Sequence, residues 1–158
     1  MSQPQYQVQE DLPDGYLLAL GIYVQTCSRI ELWAARLICL TNKMSRLDPD
    51  FTPVVDKLRT GQTWKLVSDL KASFATLQEQ GETDTELLAL GDYIEKSLET
   101  RNKAVHGTHI VLHNGFIMID AGEKLDRTRA AYDPTILQAA LDNADQVLRK
   151  LKAYCEAI

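Results

Sequence analysis

Four stretches of the chain repeat apolar side chains at intervals of three and four residues, and this spacing constrains the fold more than any other feature. Such spacing places apolar side chains on one face of an α-helix. Because each helix then has one apolar stripe to bury, we expect an all-α fold, an up-and-down helical bundle of about four main helices. The main helices are predicted at about 15–43, 63–80, 84–106 and 134–158.

The same spacing predicts which side chains form the core. The first helix is expected to bury the stripe that runs from Leu20 to Thr41, and the last helix the stripe from Leu137 to Cys155. On the second helix, Trp64 and Phe74 are both expected in the core. Between the first two helices, prolines in 48–53 predict a connector that holds a short helical turn at most.

One segment departs from helical spacing. The β-rich runs 109–113 and 116–120 flank Asn114-Gly115, which is a strong signal for a β-hairpin turn. We therefore expect a β-hairpin inserted before the last helix. The charged segment 123–132 fits either a further strand or a loop.

Composition limits the class of protein. At 158 residues, of which 45% are hydrophobic, the chain is expected to form one domain over 15–158, preceded by a flexible polar tail over 1–14. That tail lacks the features of a secretory signal, and no apolar run reaches the roughly 20 residues that cross a bilayer. We therefore expect a cytoplasmic protein with no membrane contact.

Cysteine spacing and charge exclude two further classes. Cys27 and Cys39 lie on one predicted helix, too far apart to pair, so the three cysteines are expected to be small packing residues. The 17 basic residues are outnumbered by 22 acidic ones, which gives a net charge of −5 and argues against a broad basic surface for nucleic acid. Any contact with nucleic acid is therefore expected to be local.

Arg101 interrupts the apolar stripe of the third predicted helix. The stripe passes from Ile94 to Leu98, reaches Arg101 three residues later and resumes at Val105. A charged side chain aimed at the interior needs an anion or a wet cleft, because an unpaired buried charge costs several kcal/mol. Either a structural ion pair with Glu95, Glu99 or an acid from another helix, or a phosphate site, would satisfy it.

The residues that follow Arg101 add a motif. The string from Arg101 through Asn102 to His106 resembles the signature of the HEPN superfamily, in which an arginine, usually followed by a polar residue, precedes a histidine by four to six residues. In that family the motif lies near the end of a helix in a compact all-α bundle. The resemblance covers the architecture over 15–158, but its specific part is these few positions.

The resemblance implies a metal-independent endoribonuclease, such as a toxin or an effector of defence or stress, that acts as a homodimer. Arg101, Asn102 and His106 would be its catalytic residues. Lys103, His109 and His113 would contact the RNA substrate. No cofactor or metal is expected. His106, His109 and His113 are three and four residues apart, but Gly107 separates a helix from a strand, so helical spacing does not continue, and no acidic residue lies between 99 and 120.

The same motif also occurs in non-catalytic HEPN proteins. The alternative is therefore a module that binds a nucleotide or a protein partner, such as an antitoxin of the nucleotidyltransferase type. A histidine at a helix end also fits simple capping of that helix, and the hairpin fits shielding of the cleft, RNA contact or packing alone.

Overall fold

The computed structural model describes residues 12–79, 86–106, 108–111, 117–120, 130–132 and 134–158. The helical architecture predicted from the spacing is confirmed. None of the described helices combines the length and apolar character that crossing a bilayer requires. The helices in these ranges are α1 (Asp14–Thr41), α2 (Phe51–Arg59), α3 (Thr63–Glu79), α4 (Glu86–His106) and α5 (Pro134–Ala157).

Helix α1 lies at the centre of the fold and contacts each of the other four helices. Its stripe is buried as predicted from Tyr23 to Ile38, because apolar residues recur at every helical turn, whereas Leu20 and Thr41 at its two ends are only partly buried. Asp14 lies in the first turn of α1, with Pro13 at the N-cap position. The buried members of the stripe include Tyr23, Cys27, Ile30, Ala34, Leu37 and Ile38.

The carboxyl end of α1 closes with a Schellman motif. The Met44 N–H donates to the Cys39 carbonyl at 3.1 Å, and the Lys43 N–H donates to the Leu40 carbonyl at 3.0 Å. Lys43 has a φ of 63°, the left-handed conformation in which glycine is usual. The motif turns the chain toward α2, and the left-handed conformation that it requires is strained for a lysine.

Helix α2 corrects the predicted connector. The prolines of 48–53 were expected to exclude more than a turn, yet α2 runs for nine residues from Phe51. Pro53 lies in the first turn, where the backbone N–H has no helical partner in any case, so proline does not disturb the helix there. Phe51 and Val55 of this helix are buried in the core.

Helix α3 confirms one predicted core aromatic residue and corrects the other. Phe74 is fully buried, but Trp64 is 68% exposed, so its prediction as core is wrong. At about 100° per residue, Trp64 lies about 130° from the middle of the buried face of α3. Its indole N–H donates instead to Gln62 at 2.6 Å.

Helix α4 packs against α3 through a glycine. A Cβ on Gly91 would lie 3.2 Å from Cγ of Lys71, so the small residue lets the Lys71 side chain cross α4 closely. Lys71 then bridges two acids of α4, Asp92 at 2.9 Å and Glu95 at 2.6 Å. Val105 of α4 was expected on the buried stripe but is about half exposed, and the neighbouring Ala104 is buried in its place.

Helix α5 packs along α1, and its predicted stripe is confirmed except that Leu141 is only partly buried. Cation–π contacts join the two helices at Trp33, whose ring lies 4.8 Å from the Arg36 guanidinium and 5.7 Å from the Lys152 ammonium. Cys155 lies beside this contact and donates from its sulfur to the Trp33 carbonyl at 3.6 Å. All three cysteines are free and buried, which confirms their prediction as packing residues.

Three short strands lie between α4 and α5: β1 (Thr108–Val111), β2 (Ile117–Asp120) and β3 (Ala130–Tyr132). They form an antiparallel sheet in the order β1-β2-β3, with Val111 opposite Ile117 and Ile117 opposite Tyr132. The predicted Asn114-Gly115 turn and most of the predicted 1–14 tail lie outside the described residues.

Candidate functional site

Arg101 lies on the inward side of α4 and forms an ion pair with Glu31 of α1. Its Nη2 donates to Oε1 of Glu31, and the two side chains are only 17% and 11% exposed. The predicted inward direction of Arg101 is therefore confirmed, and its partner is an acid from another helix. Both groups are largely removed from water, where an unpaired charge would destabilise the fold. Each group therefore neutralises the charge of the other.

The contacts around this pair bind α1 to α4. The Tyr23 hydroxyl donates to the Ser97 carbonyl at 2.9 Å, and the Cys27 thiol lies 3.9 Å from the same oxygen. Tyr23, Cys27 and Glu31 follow one another at intervals of four residues, so they share one face of α1. These contacts fix the position of α4 along α1, and its rotation about its own axis, near Arg101.

Burial changes the acid–base properties of this region. Removal from water raises the pKa of the Glu31 carboxyl, and the attraction of Arg101 offsets that rise only in part. Burial likewise raises the pKa of the Cys27 thiol to about 11, against small opposing effects of Tyr23 and Arg101. Cys27 is therefore a thiol at neutral pH and not a nucleophile.

One nitrogen of Arg101 has no partner. Nε is buried and makes no hydrogen bond, although a guanidinium offers five N–H donors. An unsatisfied buried donor costs about 1–3 kcal/mol, so the ion pair with Glu31 does not use the whole hydrogen-bonding capacity of the side chain. The arginine retains capacity for a further acceptor.

The other motif residues lie nearer to solvent. His106 is exposed at the last residue of α4, whereas Asn102 and Lys103 are half-buried. Asn102 and His106 are four residues apart and share one face of the helix, while Arg101 and His106 differ by about 140° around the axis. The structure thus brings Asn102 and His106 together and directs Arg101 inward beside them.

The structure says less about the two remaining predicted site residues, His109 and His113. His109 lies on strand β1, and His113 lies outside the described residues. Over the described part of the chain, no cluster of three His, Cys, Asp or Glu residues is arranged to hold a metal ion.

An apolar surface adjoins the motif. Leu17, Leu18 and Ile22 of α1 are exposed, as is Val105 of α4 directly before His106. A shallow depression between the two helices is lined by apolar side chains that include Leu17, Val24 and Val105. We call Leu17, Leu18, Ile22 and Val105 the apolar patch. Contiguous exposed apolar residues of this kind mark interaction sites more often than chance.

Glu31 is the site residue that sequence reasoning did not identify. It lies 70 residues before Arg101, and no local spacing links the two. Its signal was the same anomaly as that of Arg101, a charged residue four positions after Cys27 on a stripe that is otherwise apolar. When two opposite charges lie on two buried stripes, an ion pair between them leaves neither charge buried without a partner.

Comparisons with known proteins give no assignment. No protein-family model matches the chain. Neither a curated protein nor a solved structure gives a significant match.

Proposed function

We propose that this protein is a metal-independent endoribonuclease of the HEPN type that acts as a homodimer in the cytoplasm. The observation that carries the proposal is the position of the motif at the carboxyl end of α4. There Arg101 is held against α1 while Asn102 and His106 lie beside it, toward solvent. The resemblance in sequence requires a helix end in a helical bundle, and the fold supplies one.

The chemistry follows from these side chains. The imidazole of His106 accepts the proton of an RNA 2′-hydroxyl, whose oxygen attacks the adjacent phosphorus. The bond from phosphorus to the 5′-oxygen breaks, and that oxygen takes a proton from a second acid. The products are a 2′,3′-cyclic phosphate and a 5′-hydroxyl. Imidazole suits both proton transfers because its ring nitrogens can accept a proton in one form and donate it in the other.

Arg101 would stabilise the charge that builds on the phosphate oxygens. Its ion pair with Glu31 fixes the guanidinium on the side of α4 nearest α1, and at 17% exposure part of the side chain stays open to solvent. Asn102, next in sequence, would orient the phosphate or the imidazole. Lys103, His109 and His113 would contact the flanking RNA.

A homodimer would supply the second proton carrier. The apolar patch lies beside His106, so two copies that pack through it would bring two motifs close together. One His106 would act as base and the other as acid across a single phosphodiester. Packing through the patch would also remove its leucine and isoleucine side chains from water.

One observation favours the alternative, a non-catalytic module that binds a nucleotide or a protein partner such as an antitoxin. The Arg101 guanidinium is already neutralised by Glu31, and a paired arginine attracts a phosphate less strongly than a free one. In that case Arg101 would be structural, and the apolar patch would hold the partner. Arg101→Ala would then weaken binding of that nucleotide or partner, and intact binding would count against the alternative.

The proposal also includes two details of the fold, the directions of the helices and the connection between β1 and β2. We infer that the main helices alternate in direction along the bundle and that β1 and β2 belong to a β-hairpin inserted before the last helix. The antiparallel pairing of β1 with β2 supports the hairpin.

The test is RNA cleavage in the presence of EDTA by the wild type and by His106→Ala. His106 is exposed, so the variant is expected to fold, and circular dichroism checks this. We expect the substitution to slow cleavage of total RNA and tRNA by at least about a hundredfold, the usual effect of losing a general acid or base. Glu99→Ala, an exposed residue on the same helix, is the control and keeps wild-type cleavage.

Two results would reject the nuclease. One is unchanged cleavage by a folded His106→Ala variant. The other is the absence of cleavage by the wild type, which would favour the binding module instead. Cyclic-phosphate ends on the products, detected by their resistance to direct 3′ ligation, separate this mechanism from metal-dependent hydrolysis.

A further inference from the structure

A groove of about 460 Å³ lies between α4 and α5, apart from the apolar patch. Its floor is apolar and consists of Leu90 and Val147, with Tyr23 of α1 between the two helices. This volume lies within the range of about 300–1,000 Å³ typical of sites for small organic groups. The groove is therefore large enough for a nucleotide.

Polar side chains line the groove above this floor. Asn143 and Gln146 of α5 lie on one side, and Ser97 and Thr100 of α4 lie on the other. Each amide carries both donors and an acceptor, and each hydroxyl can serve as either. Base edges present donors and acceptors side by side, so this set matches a base better than it matches a hydrocarbon.

The groove has a local positive charge in an acidic protein. Lys150 at one end pairs with Glu86 at 2.9 Å, whereas Lys96 has no acidic partner among the described residues. The neighbouring acids of α4, Asp92 and Glu95, are held by Lys71 on the side of α3. With two lysines and one glutamate, the lining has one net positive charge, although the whole chain carries −5.

An aromatic ring stands at the mouth of the groove. Tyr93 lines it and is 61% exposed. Exposed aromatic rings beside cationic side chains are the platforms on which single-stranded nucleic acids stack their bases. Tyr93 therefore offers a base one stacking face.

The position of the groove relates it to the motif. Thr100 lines its far end and is followed directly by Arg101, and Lys103 lies one helical turn beyond Thr100 on α4. A chain that occupied the groove would therefore run toward the carboxyl end of α4, where the motif lies.

We propose that the groove between α4 and α5 binds an unpaired nucleotide of single-stranded RNA, one that flanks the phosphate to be cleaved, an inference that rests on the proposed function. The base stacks on Tyr93, the amides of Asn143 and Gln146 contact its edge, and Lys96 faces the backbone. The groove accepts single strands and excludes duplex RNA, because a paired base cannot present its face to Tyr93.

Binding is measured separately from cleavage with a short, fluorescent 2′-O-methyl oligonucleotide of random sequence, which lacks the attacking hydroxyl. Fluorescence anisotropy gives the affinity for the wild type, Tyr93→Ala, Tyr93→Phe and Asn143→Ala. We expect Tyr93→Ala to weaken binding about tenfold or more, the size of one lost base–aromatic stack. Tyr93→Phe retains the ring and should keep most of the affinity.

Trp64→Ala is the matched control, because Trp64 is an equally exposed aromatic residue on α3, away from the groove. It should bind as the wild type does. Equal binding by Tyr93→Ala and the wild type would overturn the proposal. So would wild-type binding of a mononucleotide without binding of the oligonucleotide, or equal affinity for the same sequence in duplex form.

The two proposals fail in different ways. Without the nuclease, the wild type leaves total RNA intact in EDTA, yet the oligonucleotide still binds through Tyr93. Without the groove, cleavage persists and depends on His106, while Tyr93→Ala leaves both affinity and cleavage unchanged.

Discussion

Arg101 and Glu31 form an ion pair that joins the second turn from the end of α4 to the middle of α1. Both side chains are largely buried, so neither can be removed without leaving the other charge uncompensated. The pair therefore connects stability and function in one contact. Substitution of a single partner changes both, and the two effects have to be measured apart.

Glu31→Ala should lower the free energy of unfolding by about 3 kcal/mol, because it leaves the Arg101 guanidinium buried without an anion. Replacement of both partners, as Glu31→Leu with Arg101→Met, should recover most of that loss, since a buried ion pair and an apolar pair of similar volume are often equally stable. Urea unfolding followed by circular dichroism measures both differences.

The double variant also tests the proposed catalytic role of Arg101. If it folds and no longer cleaves RNA, the guanidinium acts on the substrate. Cleavage at the wild-type rate by the folded double variant would assign Arg101 to structure alone.

Glu31 should also impose a pH dependence on stability. Burial raises the pKa of its carboxyl above the ordinary value of 4.5, so the folded protein holds this proton more tightly than the unfolded chain does. The contribution of Glu31 to stability is therefore fully present below the unfolded pKa and is lost as the pH rises through the folded pKa.

In Glu31→Gln this dependence should disappear, because the amide does not titrate and its oxygen still accepts from Arg101. Urea unfolding of the two proteins from pH 4 upward provides the comparison. A stability difference between them that does not change with pH, or that changes in the opposite direction, contradicts the assignment.

The proposed dimer can be tested at Leu18, which is 67% exposed on the apolar patch. A charge there cannot be buried between two copies without a large desolvation cost, so Leu18→Glu should convert the dimer into a monomer. Sedimentation or light scattering measures the mass, and RNA cleavage should fall with it.

Leu47→Glu is the control for this change, because Leu47 is 93% exposed and lies in the segment between α1 and α2. It should leave both mass and cleavage unchanged. A monomeric wild type, or a dimer that withstands Leu18→Glu, would exclude the apolar patch as the interface.

Lys43 offers a gain in stability. Its φ of 63° is easy for glycine and strained for lysine, so Lys43→Gly should raise the free energy of unfolding by about 0.5–1 kcal/mol. Thermal unfolding measures the change. Lys43→Ala is the control, since alanine lacks this freedom and should give no gain.

Long, regular stripes made most of the fold predictable. The stripes of α1 and α5 were identified because apolar residues recur over several turns, so an error at one position does not change the result. Trp64 was wrongly predicted in the core because it lies in the first turn of α3. There, a single step of three residues fits both the buried face and the exposed face of the helix. Helix α2 was underestimated because a proline in a first turn resembles a helix breaker in the sequence.

The candidate site was predictable only in part. An arginine on an apolar stripe stands out in the sequence, and so does its spacing from His106. The partner of Arg101 and the groove beside Tyr93 depend on how α1, α4 and α5 pack, and this is a property of three helices together. Neither residue spacing nor composition predicts these contacts between helices.

The cations on Trp33 have an optical consequence. Arg36 of α1 and Lys152 of α5 both lie over the same indole, so its emission depends on whether the two helices are docked. The chain contains one other tryptophan, the exposed Trp64, and Trp64→Phe would leave a single tryptophan at the contact between α1 and α5. Such a variant would report the assembly of the bundle in real time, without any added dye.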